Sequence, residues 1–383
     1  MWASILKRVV WAAVLASVLL PAQWVRAQSS EVAKALALER QGKFAEAAHA
    51  WQVVTERNPR DAAAFASLGV ALSREQKYQE AADAYRKSLA LNPKLPGVSL
   101  NLGLAEFKLG RFQEAVAPLR GALAADGRNQ QARALLGLSY YGAGKFAEAS
   151  QELEIATKSD PANTELRQVL AQSCLWAKNY SCAVEQFRQI LQLNPDSAAA
   201  HILSGQALDG LGRTPEAIEE FQAATKAAPQ DANAMFGLGY LYWKQRQDDM
   251  AKTAFEAALA IDANHAQALA YLGDIEMRQG SEKALANLVK AIDLNPKIRI
   301  AYSDLGAIYM EEKRYPEALA ALQQAVKLDP AQPDTHFRLG RLHQAMGNPA
   351  AAKLEFDKVR ELQKKSEESV LEKMGGAPPP LKQ

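Results

Sequence analysis

The chain has 383 residues, 48% of them hydrophobic, with 45 basic side chains against 43 acidic ones. That apolar content supports a large buried core and excludes both a disordered chain and a miniprotein that needs covalent staples. Lys7, Arg8 and Arg26 all precede the first acid, Glu31, so the remainder is near neutral and has no general electrostatic attraction to nucleic acid or anionic lipid.

The amino terminus has the layout of an export signal. Lys7-Arg8 is followed by an apolar run from Val9 to Leu20, then by Pro21 and by Val25-Arg26-Ala27. This order predicts a signal peptide over residues 1–27, cut between Ala27 and Gln28. The run is about 12 residues, shorter than the roughly 20 that cross a hydrocarbon core, and retention as an uncleaved anchor is the alternative. No cysteine stands near the cut to carry lipid. The expected location is periplasmic or secreted, with no stable membrane insertion after cleavage.

An internal repeat organises the rest of the chain. Gly69, Gly103, Gly137, Gly205, Gly239 and Gly273 stand 34 residues apart or at multiples of that spacing, and Ala171 takes the missing rung. Ala35 extends the ladder backward, and Gly306 and Gly340 continue it after a one-residue deletion. Alanines recur behind these positions, as at Ala47, Ala81, Ala115, Ala149, Ala183, Ala217, Ala251, Ala284, Ala318 and Ala352. One turn further on stands a large apolar residue, such as Trp51, Tyr85, Leu119, Leu153, Phe187, Phe221, Phe255, Leu288, Leu322 or Phe356. Apolar spacing of three and four residues predicts two amphipathic helices in each period, with small residues where they approach. Pro59, Pro93, Pro161, Pro195, Pro229, Pro296 and Pro330 are expected just past second helices, which they stop. Pro215, Pro316 and Pro349 fall at second-helix starts, where no N–H is missed.

With these residues in place, the chain resembles the tetratricopeptide repeat family, in ten tandem units over residues 28–364. The resemblance implies an all-α, right-handed superhelical solenoid whose concave groove binds peptides or partner proteins. Residues 365–374 are expected to form a capping helix, and 375–383, with Pro378-Pro379-Pro380, a flexible tail.

Most residues that look chemical have a structural reading in this frame. Gly237-Leu238-Gly239 lacks the preceding strand of a phosphate-binding loop. His336 and His343 lie about 10 Å apart along one helix, too far to share a metal unaided, and are expected to be packed. Glu46, Glu80, Glu114, Glu148 and Glu216 suit the first turns of second helices. Neither a catalytic triad nor a nucleotide motif is present, so no enzyme activity, cofactor or metal is expected. Cys174 and Cys182 lie on opposite arms of one helix pair, which leaves a local disulfide and two buried thiols both open.

In the family, first-helix positions two, five, nine and twelve line the groove. On this register they select Leu100, Leu104 and Phe107; Leu138 and Tyr141; Ile202, Gln206 and Asp209; Asn233, Phe236, Tyr240 and Trp243; Asp274 and Met277; Met310; and Phe337 and Arg341. Phe236, Tyr240 and Trp243 present three rings on one helix and are expected to form a ligand-facing anchor rather than an inter-repeat core. The Lys and Asn clamp that some relatives use for acidic carboxyl-terminal tails has no counterpart here. The function expected is a non-enzymatic protein- or peptide-binding scaffold in the bacterial cell envelope. The alternative is a glycan-associated subunit of a polysaccharide synthesis or export machine, because aromatic rings also stack on sugars.

Overall fold

The computed structural model describes residues 30–373, and among them every regular element is an α-helix. The predicted signal segment and the tail from residue 375 lie outside these residues. The described residues divide into two compact units, with the division running through one helix. The first unit extends to Pro195 and includes Gln206–Gly212; the second comprises Asp196–Gly205 and everything from Arg213.

Ten antiparallel pairs make up the described chain. The first five are α1 (Ser30–Arg40) with α2 (Phe44–Arg57), α3 (Ala62–Arg74) with α4 (Tyr78–Leu91), α5 (Val98–Lys108) with α6 (Phe112–Ala125), α7 (Gln130–Gly142) with α8 (Phe146–Ser159), and α9 (Thr164–Trp176) with α10 (Tyr180–Leu193). The last five are α11 (Ala198–Gly210) with α12 (Thr214–Ala227), α13 (Ala232–Lys244) with α14 (Asp248–Ile261), α15 (Ala266–Arg278) with α16 (Lys283–Leu294), α17 (Arg299–Glu311) with α18 (Tyr315–Leu328), and α19 (Pro333–Ala345) with α20 (Pro349–Lys373). The last helix is unbroken, so residues 365–373 continue the second helix of the tenth pair and form no separate element.

Local chemistry sets the boundaries. Asp61 and Asp231 each accept two backbone N–H groups at the start of a first helix, and Asn129 and Asn163 accept one. First helices end in a left-handed turn residue, after which a backbone N–H returns to a carbonyl five residues back, as Arg111 does to Glu106 at 3.0 Å. Gly110 supplies that turn at φ 72°, whereas Gln76, Lys178, Arg246 and Lys313 adopt it at φ 60° without being glycine. Second helices stop at residues such as Asn58 and Asn92, whose φ values of −126° and −142° are the extended backbone required before proline.

The three repeated positions form one packing unit. A Cβ on Gly103 would lie 2.5 Å from Leu119 Cγ, and one on Gly239 would lie 2.7 Å from Phe255 Cδ1. A missing side chain lets the large residue of the second helix press directly against the first, and the buried Ala35 and Ala171 show that nothing larger than a methyl takes this rung. Ala115 and Ala251 are fully buried in the same contacts. Within each unit, first helices also touch the first helix of the next pair, as α5 does α7 and α15 does α17. This second contact creates a continuous face of first helices.

Candidate binding surface

In the first unit most predicted groove residues are consumed by packing. Leu100, Phe107 and Leu138 are buried, so in the free protein they hold helices together and offer no contact area. Tyr141 is buried as well; its hydroxyl donates to Gln172 Oε1 at 2.7 Å and its ring stacks on Trp176 at 5.5 Å. Leu104 is half-buried. Trp176, which the groove positions do not select, is 49% exposed and also meets Phe146 at 5.0 Å. Beside it Cys174 and Cys182 are joined in a disulfide, with Cα atoms 5.7 Å apart, across the left-handed turn at Lys178.

On α11, Ile202 and Asp209 are half-buried and Gln206 is exposed.

The second unit gathers its selected residues into one surface. Phe236, Tyr240 and Trp243 are half-buried on α13 and converge on Tyr271 of α15, at ring separations of 5.9, 5.4 and 4.8 Å. Tyr240 and Trp243 stack on each other at 5.9 Å. The expectation of a purely ligand-facing anchor is therefore corrected: each ring has one side in inter-repeat packing. The cause is Tyr271, whose ring fills the space between the two first helices. Tyr271 lies one residue outside the family's groove positions, so the family register passes over it.

Hydrogen bonds fix this surface further. Trp243 Nε1–H donates to Asp274 Oδ2 at 2.6 Å, and Arg278 Nη2 reaches the same carboxylate at 3.0 Å. Asp274 is only 6% exposed, although the family register selects it as a groove contact. His265 caps α15, its Nδ1 accepting from the Ala268 N–H at 3.1 Å, which leaves Nε2–H to donate to Asn233 Oδ1 at 3.3 Å. On α17, Asp304 is 1% exposed, and its Oδ1 accepts from Arg338 Nη1 of α19 at 2.7 Å. Burial pushes the Asp304 carboxyl up to about 7, with Asp274 and Asp334 adding to the rise and Arg338 opposing it. Burial likewise pushes the Tyr271 hydroxyl up to about 12. Met277 and Met310 are half-buried, and Phe337 and Arg341 are exposed, Phe337 resting on Phe356 at 5.8 Å.

A recurring contact escapes the repeat ladder. The residue that opens a second helix meets the one near the end of the following first helix. Arg74 lies over the Phe44 ring at 5.4 Å and Lys108 over Tyr78 at 5.9 Å. Phe146 meets Trp176, and Asp248 pairs with Arg278. Cation over ring, ring on ring and ion pair do the same work at one register. His336, for its part, is buried and bonded to Glu355 Oε2 at 2.6 Å and to the Pro330 carbonyl at 3.0 Å.

Three family models match the chain: "Tetratricopeptide repeat" over residues 32–96, 177–232, 202–251 and 236–283, a second of the same description over 106–173, and "TPR repeat" over 306–347. Among curated proteins, anaphase-promoting complex subunit 3 of Schizosaccharomyces pombe is 26% identical over 157 residues, 41% of this chain and 24% of that protein. Human protein O-mannosyl-transferase TMTC3 is 31% identical over 136 residues, 34% of this chain and 15% of that protein. The chain thus spans well under a third of the length of these relatives. Among solved structures, the APC/C hetero-tetramer Cut9-Hcn1 is 15% identical, covers 87% of this chain and 80% of its own, and has a TM-score of 0.52, a likeness of fold. The residue ladder, the ten helix pairs and the family models agree that this chain is built of tetratricopeptide repeats.

Proposed function

We propose that this chain is a non-enzymatic scaffold in the bacterial cell envelope that binds a protein or peptide partner on the first-helix face of its second unit. The observation that carries the reading is the ring surface of Phe236, Tyr240 and Trp243, fixed from below by Tyr271 and Asp274. Rings already ordered lose little conformational freedom on binding, and large aromatic residues are frequent energetic anchors. The name of the yeast relative, a subunit of the anaphase-promoting complex, supports a role in protein assembly. The envelope location is supported by the signal-like residues 1–27, and the non-enzymatic reading by a sequence without a nucleophile–base pattern or phosphate loop.

The test is affinity capture from an envelope extract with the wild-type chain and with Trp243→Ala, each checked for cooperative thermal unfolding. The expected result is one or more proteins retained by the wild type and lost from a variant that remains folded. Identical captured sets would overturn the assignment of this face. Peptide mapping of the native amino terminus tests the location, with Gln28 as the expected first residue.

A further inference from the structure

We infer that this face takes a cationic side chain, an arginine or lysine of the partner, against the Trp243 and Tyr240 rings and beside the carboxylate of Asp274. The inference rests on the peptide-binding reading above and specifies the chemistry of the guest.

Charge is the first reason. Asp248 and Asp274 share Arg278, while Asp304 and Asp334 share Arg338. A third guanidinium, Arg299, donates to Thr335 Oγ1 at 3.1 Å and faces Tyr271 and Asp329. Five carboxylates therefore stand among three guanidiniums, and acids outnumber bases in the group. Every guanidinium in it already has an acceptor, so an anionic guest would have to break a pair, whereas a cationic guest would offset the excess.

The deficit can be placed on particular atoms. Asp304 Oδ2 is buried without a hydrogen-bond partner, and so is the Oγ of its neighbour Ser303. A buried carboxylate with an unpaired oxygen is costly and calls for a compensating charge or proton. The groups facing Asp304 are Tyr271 and Asp274 from α15, and Asp334 and Arg338 from α19, so acids outnumber bases around it. Near neutral pH the free protein relieves this in part by protonating Asp304, whose carboxyl is pushed up to about 7. A cation at Asp274 would replace that proton through space, without touching the buried Asp304 oxygen.

The rings explain why the cation belongs to a side chain. Among the described residues no group of three or more His, Cys, Asp or Glu is arranged to hold a metal ion. Trp243 and Tyr240 instead are partly exposed rings stacked on each other next to Asp274, and guanidinium and ammonium groups are attracted to aromatic faces. The indole N–H bond to Asp274 fixes the ring plane and the acid in one arrangement.

The experiment selects binders to the immobilised full chain from a library of random twelve-residue peptides, then measures the enriched peptides by calorimetry. Enriched sequences should carry arginine or lysine. Replacing that residue by citrulline or norleucine, or changing the protein by Asp274→Asn, should weaken binding by about tenfold or more. Calorimetry near pH 7 in buffers of different ionisation enthalpy should show release of a fraction of a proton on binding, and Asp304→Asn, which preserves shape, should abolish that release. Enriched peptides that depend on Trp243 but are neutral or acidic, or are indifferent to Asp274→Asn, would overturn the cationic guest and leave the binding face standing. Peptides indifferent to Trp243→Ala, or no enrichment at all, would overturn both.

Discussion

Trp243 and Asp274 are joined by an indole N–H to carboxylate hydrogen bond of 2.6 Å that ties α13 to α15 and sets the tilt of the ring surface. Trp243→Phe keeps an aromatic ring in the stack and removes the donor, which should cost about 1–2 kcal/mol, since Asp274 keeps Arg278. Trp243→Ala also removes the contacts with Tyr240 and Tyr271 and should cost about 2–3 kcal/mol in the second unit. Denaturant unfolding of the two variants beside the wild type measures both steps. Equal stability of all three would show that the ring is held only loosely.

The repeat was legible because its physics demands a small residue at some positions and a large apolar one at others. A Cβ at Gly103 or Gly239 would collide with the ring or leucine opposite, so the residue type itself records the contact. The choice of Asn233, Phe236, Tyr240 and Trp243 comes from the groove positions that the family resemblance implies, laid on the same ladder, and brings out much of the surface. Tyr271 and Asp304 were not legible, because an aromatic or acidic residue inside a helix does not announce whether its neighbours bury it. The clasp between second-helix starts and following first-helix ends was hidden for a different reason. Phe44 with Arg74 and Asp248 with Arg278 satisfy one geometry by unrelated chemistries, so no residue type repeats.

Asp304 should make the second unit less stable as pH rises toward neutrality. Its folded-state carboxyl titrates near 7, above the ordinary carboxylate value of 3.8. The native state therefore holds a proton that the unfolded chain has lost, and this contribution is fully present below about pH 4 and lost as pH rises through 7. Asp304→Asn mimics the protonated form and should remove the trend, with a gain over wild type that grows between pH 4 and 7 to the order of a few kcal/mol. Denaturant unfolding across that range is the measurement. A pH-independent difference between the two proteins would show that Asp304 remains charged throughout.

The Cys174–Cys182 disulfide should stabilise the first unit locally. It closes a loop with a sequence separation of 8 across the non-glycine turn at Lys178. Chain-entropy reasoning for so short a loop gives about 2.5 kcal/mol. Replacing both cysteines by alanine should speed amide hydrogen exchange in α9 and α10 and leave the second unit's exchange unchanged, because repeat stability is carried by neighbour contacts. Unchanged protection in α9 would mean that packing alone holds the pair.

Left-handed turns predict a gain. Arg246 closes α13 at φ 60°, in the position that Gly110 and Gly144 occupy in other pairs. A side chain there meets backbone crowding that glycine avoids, so Arg246→Gly should stabilise the second unit by up to about 1 kcal/mol, less the entropy glycine adds to the unfolded chain. A loss of stability on thermal unfolding would show that the arginine side chain contributes more than the strain removes.

Two glycines inside helices should respond to alanine in opposite directions. Gly237 of α13 faces the preceding pair, where an added Cβ would lie 2.1 Å from Phe221 Cε1, with further ring atoms at 2.7 and 2.8 Å. Phe221 is buried and also packs against Gly205, so its ring cannot simply swing aside. Gly237→Ala should therefore force α12 and α13 apart and cost about 1–3 kcal/mol, outweighing alanine's better helix propensity. Gly121 of α6 has a negative φ and open surroundings, and its added Cβ would find only Ser99, at 3.7 Å or more. Gly121→Ala should stabilise the first unit by about 0.5–1 kcal/mol through the smaller entropy of the unfolded chain. Both substitutions add the same methyl group to a helix interior, so thermal unfolding of the pair isolates packing from propensity. Stabilisation by both would mean that the Gly237–Phe221 contact can relax, and the close approach of rings to first helices would then be a preference of alanine-sized spacing rather than a requirement for glycine.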